Sequence, residues 1–367
     1  MLSAMESNTS LYEPYENEVL VSFQTWYAGV HGYLSLMVCI FGIPMNLINV
    51  TVLTQKHMRT PINFILTWLA VSDMMTMISY VPFATHFYCV YPPWEVSAKK
   101  NSLDWMTFML FHINFSSTTH TVSIWLGVTL AIVRYKHIYS PATGAITRIR
   151  RLVRARIAIV TISVLSVVGM IPNYLTNKLV SSLDGNNETY YNFEDMQIGT
   201  PYTKTVVYIN LWMYSILAKI LPCILMVIYG GLLVWTLKLK LKRRRLSCST
   251  TQQARPLDNS RTTRMLLIVI VLFLVTEFPQ GILIILSVTS QGFFRYVYIP
   301  LGDLMDMVAL INSGVNFVLY CAMSRDFRLT LMCLLRIVPK SEVKQPITSG
   351  VIFTDSERSQ TALLRMT

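Results

Sequence analysis

Charge is what this sequence has least of. Only 14% of its 367 residues are Asp, Glu, Lys or Arg, while 53% are hydrophobic. A soluble domain carries about 25% charged residues, so most of this chain must sit in a solvent that dislikes charge. Cysteine is scarce and scattered, at positions 39, 89, 223, 248, 321 and 333. Only Cys89 falls near an expected outside loop, which excludes a disulfide framework. The first 25 residues hold no basic stretch followed by an apolar one. No cleavable leader is therefore expected, and the first spanning helix should serve as the insertion signal. The six histidines show no metal-ligand spacing, and no buried nucleophile–base pair stands out, which speaks against an intramembrane hydrolase. Paired broken helices in two repeats, the mark of many transporters, are also missing.

What the chain has instead is length in apolar runs. A spanning helix needs roughly 20 apolar residues, and seven stretches qualify: 29–54, 62–89, 105–133, 157–176, 205–236, 265–290 and 297–321. The third is the most polar, running from Asn114 through Ser116, Ser117, Thr118 and Thr119 to His120 and Thr121. It is expected at the centre of the bundle, away from lipid. The even-numbered junctions and the N-terminus hold five Lys/Arg against ten acids, whereas the odd-numbered junctions and the C-terminus hold 25 against five. The basic side should face the cytoplasm, putting the N-terminus outside. The net charge of +12 thus implies anionic lipid headgroups as neighbours and no nucleic acid. Sequons at Asn8 and Asn187 fall outside, where glycans can be added.

Polar residues within the spans carry the next step. Asn46 in span one is followed by Asp73 in Leu69-Ala70-Val71-Ser72-Asp73, with Met58-Arg59-Thr60-Pro61-Ile62-Asn63 between them. Arg134-Tyr135 closes span three, Pro222 sits in span five and Pro279 in span six. Span seven ends Asn316-Phe317-Val318-Leu319-Tyr320, and Ser324-Arg325-Asp326-Phe327-Arg328 opens a short amphipathic segment. This ordered set resembles the rhodopsin-like G-protein-coupled receptors from residue 29 to about 336. Thr276-Glu277-Phe278-Pro279-Gln280-Gly281, with His31-Gly32-Tyr33, Ser123-Ile124-Trp125-Leu126 and Asn312-Ser313-Gly314-Val315-Asn316-Phe317, is similar to the invertebrate myosuppressin and FMRFamide-related neuropeptide receptors, the nematode branch above all. The fold implied is all-α: an outside tail over 1–28, a seven-helix membrane bundle over 29–322, an amphipathic helix over 323–336 and a cytoplasmic tail over 337–367.

The resemblance implies sites as well. Asp73, with Asn46, Ser123, Asn312, Ser313 and Asn316, is similar to the family's allosteric sodium pocket; all these side chains offer oxygen to a hard cation. The same residues also suit a plain hydrogen-bonded network. Glu277 stands where the family's aromatic switch normally sits. His120 and Lys219 are its two possible partners, as a moving switch or a fixed strut, with Phe273, Pro222 and Phe278 around it. Arg134, Tyr135 and Tyr320 are implied to engage a heterotrimeric G protein. The usual acid beside that arginine is replaced by Val133, and the usual span-seven proline by Phe317. The family's disulfide between span three and loop two is missing, because Met109 takes the cysteine's place and residues 173–204 hold none. Strand pairing around Thr189–Phe193 is expected to hold that loop instead.

For the ligand, amine receptors of this family carry an Asp where Ser116 stands, so an amine is not expected. An acidic outer face and aromatics such as Trp94 and Trp212 suit a cationic peptide. Asp303 and Asp306 are three apart on one side of a helix, so one of them should meet a ligand arginine. His86, His112, Ser116, His120 and Gln280 complete the implied ligand wall. The resemblance adds an Arg-Phe-amide C-terminus, Gi/o coupling, arrestin recruitment to a phosphorylated tail, and plasma-membrane residence. Cys333 is a site for palmitoylation. Apart from a sodium ion no cofactor is expected. Rival readings are a receptor for a non-peptide ligand and a proton-coupled transporter, whose path Asp73, Glu277, Lys219 and His120 would also suit.

Overall fold

A computed structural model describes residues 18–140, 144–183, 187–194, 201–247, 258–290 and 292–339. Asn8, Cys248 and the tail beyond 339 lie outside them. Seven long helices cross in a bundle and an eighth lies at its end. They are α1 (Glu18–Leu53), α2 (Pro61–Val90), α3 (Leu103–Tyr139), α4 (Ala145–Thr176), α5 (residues 201–247), α6 (Asp258–Thr289), α7 (Phe294–Met323) and α8 (Arg325–Leu334). Several run past their apolar stretch. α4 starts twelve residues before the expected span, because the basic segment ahead of it continues the helix in a polar environment.

Local chemistry sets the boundaries. Thr60 caps α2, its Oγ1 accepting from the Asn63 amide at 3.1 Å, and Pro61 takes the first turn, where its missing N–H costs nothing. The Asn63 side chain then donates to the Met58 carbonyl at 2.6 Å and closes the preceding turn. Ser324 caps α8 in the same way, accepting from Phe327 N. Three π turns, Thr85–Val90 in α2, Ser215–Ile220 in α5 and Phe294–Tyr298 in α7, insert an extra residue and rotate the next turns of the helix. α7 then runs on unbroken through Phe317 to Met323.

Six of the seven are long and apolar enough to cross a membrane among the described residues. α3 has the length but not the apolarity, and its neighbours explain why: it packs against α2, α4, α5 and α6 at the centre of the bundle. Its polar groups are spent on helix contacts. Ser72 donates to the Thr119 carbonyl at 2.7 Å, the Thr76 and Thr119 hydroxyls share a bond of 2.6 Å, and His112 Nδ1 lies 3.1 Å from Ser79 Oγ. In lipid the hydrophobic drive between helices is weak, so such bonds and close packing carry association. α4 by contrast turns Val160, Val164, Leu165, Val168 and Ile171 outward. The apolar core gathers Leu69, Ile124, Leu126, Met226, Phe273 and Tyr320.

Small residues let α1 approach. A Cβ on Gly32 would lie 2.5 Å from Tyr88 Cβ and 3.0 Å from Cys89 Sγ, so no other residue fits there without a shift. Between α4 and α5, β1 (Leu179–Leu183) and β2 (Thr189–Phe193) pair antiparallel, Leu179 opposite Phe193. Asn101, just before α3, ties this hairpin down. Its carbonyl accepts from Tyr191 N at 2.9 Å, and its Nδ2 donates to Tyr191 O at 3.4 Å and Asn192 Oδ1 at 3.2 Å. Cys39, Cys89, Cys223, Cys321 and Cys333 are free thiols.

Candidate functional site

The π turn of α5 aims Lys219 into the bundle, where its side chain is 1% exposed. Its Nζ donates to Glu277 Oε2 at 2.6 Å and to Gln280 Oε1 at 2.7 Å, both from α6. On the other side His120 of α3 brings Nε2 to 3.0 Å from Glu277 Oε1. The two partners open in the sequence are therefore not alternatives; one carboxylate takes both. Glu277 is fully buried, and a lone charge there would be costly without such partners. The unit ties α3, α5 and α6 together around Pro279, which lies between Glu277 and Gln280.

Above it opens a cavity of about 310 Å³. His112, Ser116, His120, Lys219, Gln280 and Asp306 all reach its wall. Asp303 and Asp306 part company here. Asp303 Oδ1 accepts from Tyr88 Oη at 2.7 Å, outside the cavity lining. Asp306 opens onto the cavity and has no ion-pair partner among the described residues.

Four expected residues lie elsewhere. Trp94, 68% exposed, sits in the loop between α2 and α3. Trp212 (39%) and Phe278 (46%) face away from the bundle, since one residue's step from an inward position on a helix turns a side chain about 100°. His86 braces the loop: Nε2 bonds the Lys100 carbonyl at 3.0 Å and the ring stacks on Trp105 at 3.7 Å. The Lys100 ammonium, buried under this loop, donates to Pro92 O at 2.6 Å and Pro93 O at 3.0 Å. Burial draws its pKa down, with Glu95 opposing. Phe273 is buried, below the cavity, against Gly127, and Pro222 comes just after the α5 π turn.

Deeper still, Asp73 is 2% exposed. Ser123 Oγ donates to its Oδ1 at 2.9 Å and Asn316 Nδ2 to its Oδ2 at 3.1 Å, with Ser313 a further hydrogen-bonding neighbour. Asn46 Nδ2 bonds the Ser313 carbonyl at 3.1 Å, and Asn312 is buried beside them. One carboxylate among hydroxyl and amide oxygens is a donor set that fits a hard cation.

At the opposite end from the hairpin, a second cavity of about 790 Å³ is lined by Val133, Arg134, His137, Arg151, Arg154 and Asp326. Tyr135 packs on Tyr139 and Tyr229, and Tyr320 on Phe327. Cys333 is half-buried near the end of α8, and Asn187 is exposed in the hairpin turn with φ of 62°.

Five amides tie elements of the bundle together. Asn101, Asn114, Asn173, Asn177 and Asn210 all make inter-element bonds. Of these only Asn114 stood out in the sequence, as part of the polar third span. Tyr88 is one of the outer aromatics expected to face a cationic ligand, and its hydroxyl donates to Asp303 instead.

A family model of the serpentine-type seven-transmembrane G-protein-coupled chemoreceptors, Srw, matches residues 33–338. The chain is 31% identical to the G-protein coupled receptor dmsr-1 of Caenorhabditis elegans, over 85% of this chain and 69% of that one. It is 26% identical to the Sex peptide receptor of Drosophila melanogaster, over 88% and 77%, and 24% identical to the Drosophila FMRFamide receptor, over 87% and 55%. In fold it is similar to squid rhodopsin, with a TM-score of 0.63 at 16% identity, covering 92% of this chain and 91% of that one.

Proposed function

The chain belongs to the serpentine Srw family of G-protein-coupled receptors, multi-pass membrane proteins that signal rather than catalyse, and from that premise we propose that it is a receptor for an amidated neuropeptide of the Arg-Phe-amide type. In this reading the hairpin end faces outside the cell at the plasma membrane, and the basic end meets a heterotrimeric G protein of the Gi/o class. Arrestin binds after tail phosphorylation, and anionic lipids line the basic rim.

The observation that carries the reading is the unbalanced carboxylate of Asp306. The other charges at the cavity, Lys219 and Glu277, cancel each other with His120 alongside. Asp306 leaves the cavity net negative, and a peptide guanidinium is the natural complement, since it binds a carboxylate with two parallel hydrogen bonds. Two of the relatives are named for peptides, which agrees with a peptide rather than a small amine. A peptide displacing the Lys219–Gln280 bond would reach Glu277 and with it the junction of α3, α5 and α6. Asp73 with Ser123, Ser313 and Asn316 would hold a sodium ion, which would supply a fixed positive charge favouring the resting packing.

The test is a panel of Arg-Phe-amide peptides applied to cells expressing this chain, read as nucleotide-sensitive G-protein activation. A response is expected, with Asp306→Asn shifting potency at least tenfold at equal surface expression, the scale of one charge-assisted bond. Silence across the panel, or an equal shift in Glu95→Gln, would sink the reading.

A further inference from the structure

The wall of the cavity opposite α7 is neutral, and it is made of amides. Asn210 Nδ2 of α5 donates to Asn173 Oδ1 of α4 at 3.1 Å, and Asn173 Nδ2 donates to Asn114 Oδ1 of α3 at 2.9 Å. Asn177, just past the end of α4, reaches the same Asn114 oxygen through its Nδ2 at 3.4 Å. Asn114 and Asn210 are buried at 1% and 6% exposure, whereas Asn173 and Asn177 line the cavity.

A primary amide holds two N–H donors and a carbonyl with two lone pairs. Asn114 Oδ1 is filled by its two donors, so its orientation is fixed. Asn177 spends one N–H on a long bond, which leaves its second N–H and its carbonyl as hydrogen-bonding capacity at the cavity it lines. That pair is the complement of another primary carboxamide, which can give one bond and take one. A carboxylate in the same position would set its oxygens against those of Asn177 and Asn114. Lys219, which also lines the cavity, would not offset them, because it is already engaged by Glu277 and Gln280.

We propose that Asn177, held by the Asn114–Asn173–Asn210 ladder, forms the subsite that reads the ligand's terminal carboxamide and rejects the free acid. The inference rests on the peptide reading above: Asp306 receives the guanidinium and the asparagine wall receives the neutral end. Each peptide of the Arg-Phe-amide panel is paired with its free acid, and potencies are measured on wild type, Asn177→Ala and Asn177→Lys at matched surface expression. Wild type should favour the amide by roughly ten- to hundredfold, the span of one or two lost bonds plus an unmet polar group. In Asn177→Ala the amide should weaken about tenfold while the acid hardly changes. Asn177→Lys should raise the acid's potency above its wild-type value, a gain that a merely structural role would not produce. If wild type responds but the amide-to-acid ratio survives both substitutions, the subsite is wrong and the peptide reading stands. If no amidated peptide activates wild type, the peptide reading falls and takes the subsite with it.

Discussion

Glu277 shows how a departure from family pattern is stabilised. A carboxylate in place of an aromatic ring, wholly buried, is tolerable because Lys219 sits 2.6 Å away and His120 3.0 Å away. Removing one partner of a buried pair leaves an uncompensated charge and typically costs about 3–5 kcal/mol. Lys219→Met should therefore lower the thermal stability of the purified protein sharply, and Glu277→Gln nearly as much. The double variant should recover most of the loss, since neither charge then remains; a double-variant loss equal to the sum of the two single losses would mean the pair contributes nothing. Asp73, Glu277, Lys219 and His120 were legible as a buried ionisable set, because charge at membrane depth stands out in any sequence. His120 and Lys219 were legible as candidate partners of Glu277, but not that one carboxylate takes both, because that depends on the π turn that carries Lys219.

At the scale of elements, helix number and order could be read from apolar length, and the polar third run correctly marked α3 as central. Ends were read less well: α3 and α4 extend past the lipid-length stretch, because helical hydrogen bonding does not stop where hydrophobicity does. The hairpin's existence was foreseen from its residues, but its anchor was not, since Asn101 is an ordinary loop residue by composition. Asn101→Ala removes the two side-chain bonds and leaves the backbone bond from Tyr191, so it should loosen the hairpin, seen as faster amide exchange over residues 189–193 with the seven-helix core unchanged; unchanged exchange would show the side-chain clamp to be idle. Gly32→Ala, meeting Tyr88 Cβ at 2.5 Å, should push α1 from the π turn of α2 and lower stability by about 1–3 kcal/mol, the usual cost of overpacking. A melting curve matching wild type would show that α1 can give way.

Over the whole molecule, the two cavities lie at opposite ends with the Glu277 and Asp73 clusters between them. Arg134 borders the basic cavity with Val133 beside it, where an acid would restrain it. Ligand-free G-protein signalling should therefore be measurable, and Val133→Asp should lower it severalfold, as one added salt link of about 1 kcal/mol implies. Basal signalling that Val133→Asp leaves untouched would count against that restraint.

The clamp on the hairpin has a consequence in the chemistry of synthesis and storage. Amide hydrogen bonds to Asn101, not sulfur, fasten the hairpin between α4 and α5. Maturation of this region then needs no oxidant and no isomerase, and it admits no scrambled partner. Material made in a reducing cell-free extract should bind peptide as well as material from cells, and millimolar dithiothreitol should leave it indifferent. What would release the hairpin is urea, which competes for the amides of Asn101 and Tyr191.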